Sequence, residues 1–308
     1  MYDTIIIGAG VAGMTAAIYT QRRAMKTLII SKDIGGQVNL TFDIENYPGF
    51  ETISSFELIE RMSNQVKKLG VEIKTAEVTE IKKLGDKEFV VKTSSEEFKS
   101  KTLILVLGLL PRRLNIPGEQ EFAGKGVSYC ATCDGPFFKN KKVAVVGGGN
   151  SALDAAEYLS KIASDVYLIH RREEFRGFEE VIKEVKERPN VRIILNSKVK
   201  EIIGKKKVEK IKIASKDEEE IEVDGIFIEA GRIANTDLVA DLVDRDERNQ
   251  IIINEDCATS NPGIFAAGDV TQTKFKQITI ACGLGTIAAL SAYEYLHKGH
   301  EATDYGKK

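Results

Sequence analysis

Cys130 and Cys133 are separated only by Ala131 and Thr132, and Asp134 and Gly135-Pro136 follow at once. Two cysteines at this spacing can close a disulfide at a helix start, where the helix dipole lowers one thiol pKa and makes a thiolate available near neutral pH. Asp134 then stands where it can move the proton that a leaving thiolate needs. The competing use of such a pair is half of a structural zinc site, which requires two further ligands, usually a second close pair. Cys257 and Cys282 are isolated, and His170, His297 and His300 show no ligand spacing. The four cysteines therefore divide into one working dithiol and two small packing residues.

The elements that must position this dithiol carry a repeated grammar. Thr4 to Ile7 reads as a strand, Gly8-Ala9-Gly10-Val11-Ala12-Gly13 as a turn, Met14 to Arg23 as a helix and Thr27 to Ile30 as a second strand. In such a βαβ unit the first glycine permits the tight turn, the second admits a pyrophosphate and the third lets helix pack on strand. The pattern returns immediately after the dithiol. Val143 to Val146 lead into Gly147-Gly148-Gly149-Asn150-Ser151-Ala152, a helix to Lys161 and a strand at Val166 to Ile169. That second strand ends in His170-Arg171-Arg172, with Arg176 following, where an NAD site places an acid for the ribose 2′-hydroxyl. Guanidinium groups attract a 2′-phosphate that an acid would repel, so NADPH is preferred over NADH as the second nucleotide.

A third piece, Gly263 to Asp269, reads as a short buried strand ending in an acid, before a helix over Gln277 to His297. Two-dinucleotide flavoproteins use a strand-Gly-Asp ending of this kind for ribityl or phosphate oxygens of the flavin. If the terminal segments build one FAD domain, the NADPH domain is an insertion between them. The expected fold is α/β, with two Rossmann-like, three-layer ββα dinucleotide-binding domains. Residues 1–113 and 244–308 form the FAD-binding domain and 114–243 the NADPH-binding domain with the dithiol, with linkers near Leu110 to Gly118 and Asp241 to Arg248.

Composition sets bounds on partners. Within 308 residues, Lys and Arg total 44 and Asp and Glu 46, a net charge of -2 that gives no global field for nucleic acid or an anionic membrane. The start lacks the pattern of a secretory signal, and the longest apolar stretch, Leu103 to Leu110, is too short to cross a bilayer. The expectation is a soluble, cytoplasmic protein.

Taken in order, these motifs closely resemble the bacterial and archaeal thioredoxin reductases of the low-molecular-weight class, over essentially the whole chain. They are Gly8 to Gly13, Gly35-Gly36-Gln37, Glu45 to Gly49, Cys130 to Gly135, Gly147 to Ala152, the basic cluster, and Gly268-Asp269-Val270 with Lys276-Gln277. The resemblance implies that Gly8, Gly10, Val11, Ala12, Gly13, Gly36, Gln37, Asn46, Gly268, Asp269, Lys276 and Gln277 hold FAD, with Val78 touching it through the main chain. It implies that Gly149, Asn150, Ser151, His170, Arg171, Arg172 and Arg176 hold NADPH. Electrons then pass from NADPH through FAD to the Cys130-Cys133 disulfide and on to a thioredoxin or glutaredoxin-like protein. Cys133 faces the flavin in this scheme, Cys130 attacks the partner and Asp134 protonates the released thiolate. A homodimer, non-covalent FAD and a domain rotation are further implications.

Two other functions stay open at this stage, an oxidase or ferredoxin-type reductase and a nucleotide-bound redox sensor. Four positions depart from the usual family text: Ser31, Val106 to Leu109, Gly231 to Thr236 without its proline, and Ala281 to Gly285.

Overall fold

The computed structural model describes residues 1–40, 43–214 and 218–297, so His300 and the end of the 244–308 segment lie outside the described residues. The chain forms two compact units, one of Met1–Leu110 with the chain from Ala234 onward, the other of Pro111–Ile233.

The run Ile5-Ile6-Ile7 is buried on both faces, as a central parallel strand requires. It lies in β1 (Tyr2–Gly10), which leads into α1 (Val11–Arg22) and β2 (Thr27–Gly35). After α2 (Ser55–Lys68), capped by the Ser54 side chain, come β3 (Glu72–Thr75) and the meander β4 (Val78–Gly85), β5 (Glu88–Thr93) and β6 (Glu97–Leu105). The sheet order is β3-β2-β1-β6-β5-β4, parallel as far as β6 and antiparallel through the meander.

In the second unit β7 (Val127–Ser128) and the single turn α3 (Ala131–Asp134) precede β8 (Lys142–Gly147), α4 (Asn150–Ser160) and β9 (Asp165–Ile169). Then follow α5 (Glu179–Glu187), β10 (Val191–Ile194), the strands β11 (Lys198–Gly204), β12 (Val208–Ala214) and β13 (Glu218–Glu222), and β14 (Gly225–Glu229). The parallel sheet runs β7-β14-β8-β9-β10, and β11-β12-β13 make a separate antiparallel sheet. Alternation along β8 divides the core: Val143 and Val145 pack against Leu153 and Val185 of the helices, while Ala144 packs with Val199 and Ile211 of the antiparallel sheet. This is the three-layer ββα arrangement.

The chain returns to the first unit with β15 (Ile264–Ala266), which takes the Leu103–Leu105 edge of β6, and ends in α6 (Ile278–Leu296). By length and composition alone α6 is long and apolar enough to cross a membrane, which the sequence reading did not anticipate. Its small residues serve packing instead. Ala288, Ala289 and Ala292 are fully buried, and a Cβ on Gly285 would fall onto the carbonyl of Ala12 in α1.

The second crossing between units corrects the expected boundary at 243. The charged run Asp241 to Arg248 is no linker, because Val243 within it and Val239 and Ile251 on either side are buried in the first unit's core with Ile5, Ile7 and Leu28. Arg245 donates to Thr236 Oγ1 at 3.2 Å, and Asn261 Nδ2 bonds the Leu242 carbonyl at 3.0 Å. The chain crosses at Ile233–Ala234.

Candidate active site

The two glycine turns show what each glycine is for. Gly8 has φ +115, and a Cβ there would fall onto the Val106 carbonyl oxygen; a Cβ on Gly13 would fall onto that of Gly8. Gly10 is different. A Cβ on it meets nothing within 4 Å, and Gly10 caps α1 without any side-chain hydrogen bond. The second turn repeats this arrangement. Gly147 is jammed against the Glu229 carbonyl and Gly148 against the His170 ring, whereas Gly149 faces open space and caps α4 without a side chain. Two helix N-termini with uncapped N–H groups, each beside space a Cβ would fill, fit two anionic dinucleotides.

In the first unit the structure brings together side chains far apart in sequence. Gln37 Nε2 donates to Asp269 Oδ2 at 3.0 Å, and Asn46 Nδ2 to Gln277 Oε1 at 3.2 Å. Gly268 has φ +76, and Lys276 Nζ donates to the Thr271 carbonyl at 2.6 Å. Burial lowers the Lys276 pKa, against the opposing pull of Asp269 and Asp246. Gly36 N–H donates to Asp33 Oδ1 at 3.0 Å, and Val78 opens β4, half-buried. Ser31, where an acid is common, accepts from the Ala9 N–H at 3.0 Å and so braces the first turn. Sequence reasoning missed a cluster here, in which burial raises the pKa of both Tyr47 and Cys282 and each lies close enough to affect the other.

In the second unit the basic segment is tied to the glycine turn, since Arg176 N–H donates to the Gly148 carbonyl at 2.7 Å and Phe178 N–H to Asn150 Oδ1 at 2.8 Å. Arg171, Arg172 and Arg176 are exposed, Ser151 is exposed at the start of α4, and among the described residues none of the three arginines has a carboxylate partner. His170 differs from them in being buried. Its ring is buried, stacks on Phe175 with centroids 5.5 Å apart, and its pKa is lowered by that burial and by Arg171 and Arg176. Its ring fills the space beside Gly148.

Cys130 and Cys133 are joined in a disulfide, with Cα atoms 5.3 Å apart. Cys130 is the N-cap of α3; its Sγ accepts from the Cys133 N–H at 3.1 Å, and Thr132 Oγ1 lies 3.1 Å away. Cys130 is buried and Cys133 exposed. Asp134 ends α3, half-buried, with its N–H bonded to the Cys130 carbonyl at 3.2 Å. The segment is anchored from below, where Tyr129 Oη donates to Glu119 Oε1 at 2.7 Å and burial pushes the phenol far above its ordinary pKa. Glu119 also accepts from the N–H groups of Leu114 and Asn115. Cys257 is inert by contrast: it is fully buried, its thiol is pushed up to about 12 by that burial, and it donates to the Leu284 carbonyl. Among the described residues no cluster of His, Cys, Asp or Glu could hold a metal.

Comparison with known proteins agrees with this geometry. The model of the family described as pyridine nucleotide-disulphide oxidoreductase matches residues 2–285. The chain is 40% identical to a thioredoxin reductase of Listeria innocua, covering 99% of this chain and 97% of that one. The crystal structure of Lactococcus lactis thioredoxin reductase in its FR conformation matches with a TM-score of 0.92 at 42% identity, over 97% of this chain and all of that one. That of T. acidophilum thioredoxin reductase matches with 0.89 at 37% identity, over 96% and 99%. A working dithiol, two uncapped glycine cradles and this likeness along the whole chain lead to one conclusion: the protein belongs to the pyridine nucleotide-disulphide oxidoreductases and, within them, to the low-molecular-weight thioredoxin reductases.

Proposed function

We propose that this chain reduces the disulfide of a thioredoxin or glutaredoxin-like protein at the expense of NADPH, using FAD and the Cys130-Cys133 pair. The observation that carries this reading is the Cys130 sulfur held by the Cys133 N–H at a helix start. When bound, NADPH supplies a hydride and FAD the two-electron relay that connects hydride to thiol chemistry. Gly10 to Gly13, Gly36, Gln37, Asn46, Val78, Gly268, Asp269, Lys276 and Gln277 are assigned to FAD. Gly149, Asn150, Ser151, Arg171, Arg172 and Arg176 are assigned to NADPH, with His170 shaping the turn behind them.

In the reduced dithiol, the Cys133 N–H favours thiolate over thiol at Cys130. That thiolate attacks one sulfur of the partner's disulfide, a Cys130–partner bond forms, and the partner's second sulfur leaves with the electron pair. Asp134 is assigned to deliver its proton. Cys133 then attacks Cys130 Sγ, which re-forms the Cys130–Cys133 bond and releases the partner as a dithiol. Phe137, 72% exposed in the turn after Asp134, offers the partner an apolar contact beside the exposed Cys133. We further assign the working form as a homodimer in the cytoplasm, outside the membrane.

The test is NADPH-driven reduction of an artificial disulfide through added thioredoxin. Turnover that requires both thioredoxin and Cys130 is expected. Equal rates for the wild type and Cys130→Ser would sink the assignment, and thioredoxin-independent peroxide formation that survives loss of both cysteines would favour an oxidase.

A further inference from the structure

From β8 the second unit's chain crosses to β9 and then β10 on one side, and reaches β14 on the other side only later. The switch point of this sheet is therefore the gap between β8 and β14, and ligands of open α/β sheets lie outside the carboxyl ends of the strands at such a point. The residues that meet across the gap at those ends are Gly147 and Glu229, which are register partners. The β9 side carries the Gly149 turn and the three exposed guanidinium groups, which suit the adenosine 2′-phosphate half of NADPH. Its other half, the nicotinamide nucleoside, then falls on the β14 side.

That side carries three charged groups. Glu229 ends β14, half-buried. Arg232 follows three residues later, and its Nη1 is a buried donor with no acceptor. Asp154 on α4 is the third charged group acting there. Burial pushes the Glu229 carboxyl up to about 7, with Arg232 pulling down and Asp154 pushing up. The Asp154 carboxyl is itself raised, by burial first and then by Glu157 and Glu184.

Resting on the assignment of NADPH to this unit, we propose that Glu229 receives the nicotinamide nucleoside half as a neutral carboxylic acid, so that cofactor binding takes up a proton. The acid O–H can donate to a ribose or carboxamide oxygen, and its carbonyl can accept from the carboxamide NH2. Binding displaces water from Glu229 and brings the diphosphate's negative charge toward it, and both effects favour the neutral form. The sign follows from linkage. A group whose pKa is higher in the complex than in the free protein makes affinity rise as pH falls, by up to about tenfold per pH unit above the free pKa.

The experiment is titration calorimetry of the FAD-loaded enzyme with two ligands near pH 6 and near pH 8. One is the tetrahydronicotinamide analogue of NADPH, which has a neutral ring and cannot give hydride. The other is 2′-phospho-ADP-ribose, which carries the same titrating 2′-phosphate and the same non-titrating diphosphate but lacks the nicotinamide. Relative to 2′-phospho-ADP-ribose, the analogue is expected to lose roughly tenfold in affinity over this interval, with its excess proton uptake visible in buffers of different ionisation heat. Glu229→Gln, a fixed neutral mimic, is expected to abolish the analogue's excess uptake and keep the low-pH affinity ratio at both values. A wild-type affinity ratio that stays flat, or a pH dependence that survives Glu229→Gln, overturns the proposal. If neither ligand binds the wild type, what fails is the assignment of NADPH to the second unit.

Discussion

Cys130 and Cys133 are chemically identical, and the different work proposed for them rests on a single backbone N–H. The Cys133 amide points at Cys130 Sγ, so Cys130 gains a charge-assisted hydrogen bond as a thiolate. In Cys133→Ser the Cys130 thiol is expected to titrate below the ordinary value of about 8.5, as followed by thiolate absorbance, and to hold partner thioredoxin as a stable mixed disulfide. Cys130→Ser should hold none; the reverse result would exchange the two roles. At the same scale, Arg171 and Arg172 lie exposed and have no carboxylate partner among the described residues. Replacing both with alanine should weaken NADPH by roughly 10- to 100-fold per lost charge-assisted bond while leaving NADH nearly unchanged. Equal losses in the two dissociation constants would remove the 2′-phosphate argument. Both features could be read from the sequence, because thiol spacing and a run of guanidinium groups are local. His170 could not be read in the same way. It stands inside a basic run, yet tertiary burial lowers its pKa and sets its ring against Gly148.

The glycine turns separate binding from folding at the scale of the element. Gly149→Ala adds a methyl where nothing lies within 4 Å, so the thermal midpoint should hold while NADPH affinity falls about tenfold or more. Gly147→Ala drives a methyl into the Glu229 carbonyl and should cost about 1–3 kcal/mol of stability. If both variants lose stability equally, the open cradle at Gly149 does not exist. The strand-turn-helix grammar was legible because apolar run, glycine spacing and helix follow one another in the chain. The pairing of Glu229 with Gly147 was not, because it depends on the register between strands far apart in sequence. The second crossing was misread for a related reason. Charges at Asp241, Asp244 and Arg245 imitate a linker, while Val239 just before them and Val243 among them face a core that includes Ile5, Ile7 and Leu28 from far earlier in the chain.

At the scale of the molecule, each unit encloses its own apolar clusters, the first around β1 and β6 and the second around β8 and β14. Units with separate cores can unfold separately, and a ligand stabilises only the unit that holds it. Calorimetry should therefore resolve two transitions. Adding 2′,5′-ADP at a hundred times its dissociation constant should stabilise the second unit by about 2.7 kcal/mol, which for a unit of this size raises its midpoint by roughly 10 °C. The first unit's transition should stay in place, and it should fall instead when FAD is stripped, since its own uncapped helix N-terminus at Gly10 then loses its anion. A single transition that moves with both ligands would mean that the two cores are energetically one. Movement of the wrong transition with 2′,5′-ADP would reverse the assignment of the two nucleotides. The insertion makes the outcome more than a formality, because the first unit is built from both ends of the chain and its β15 reaches β6 only after the second unit has been made.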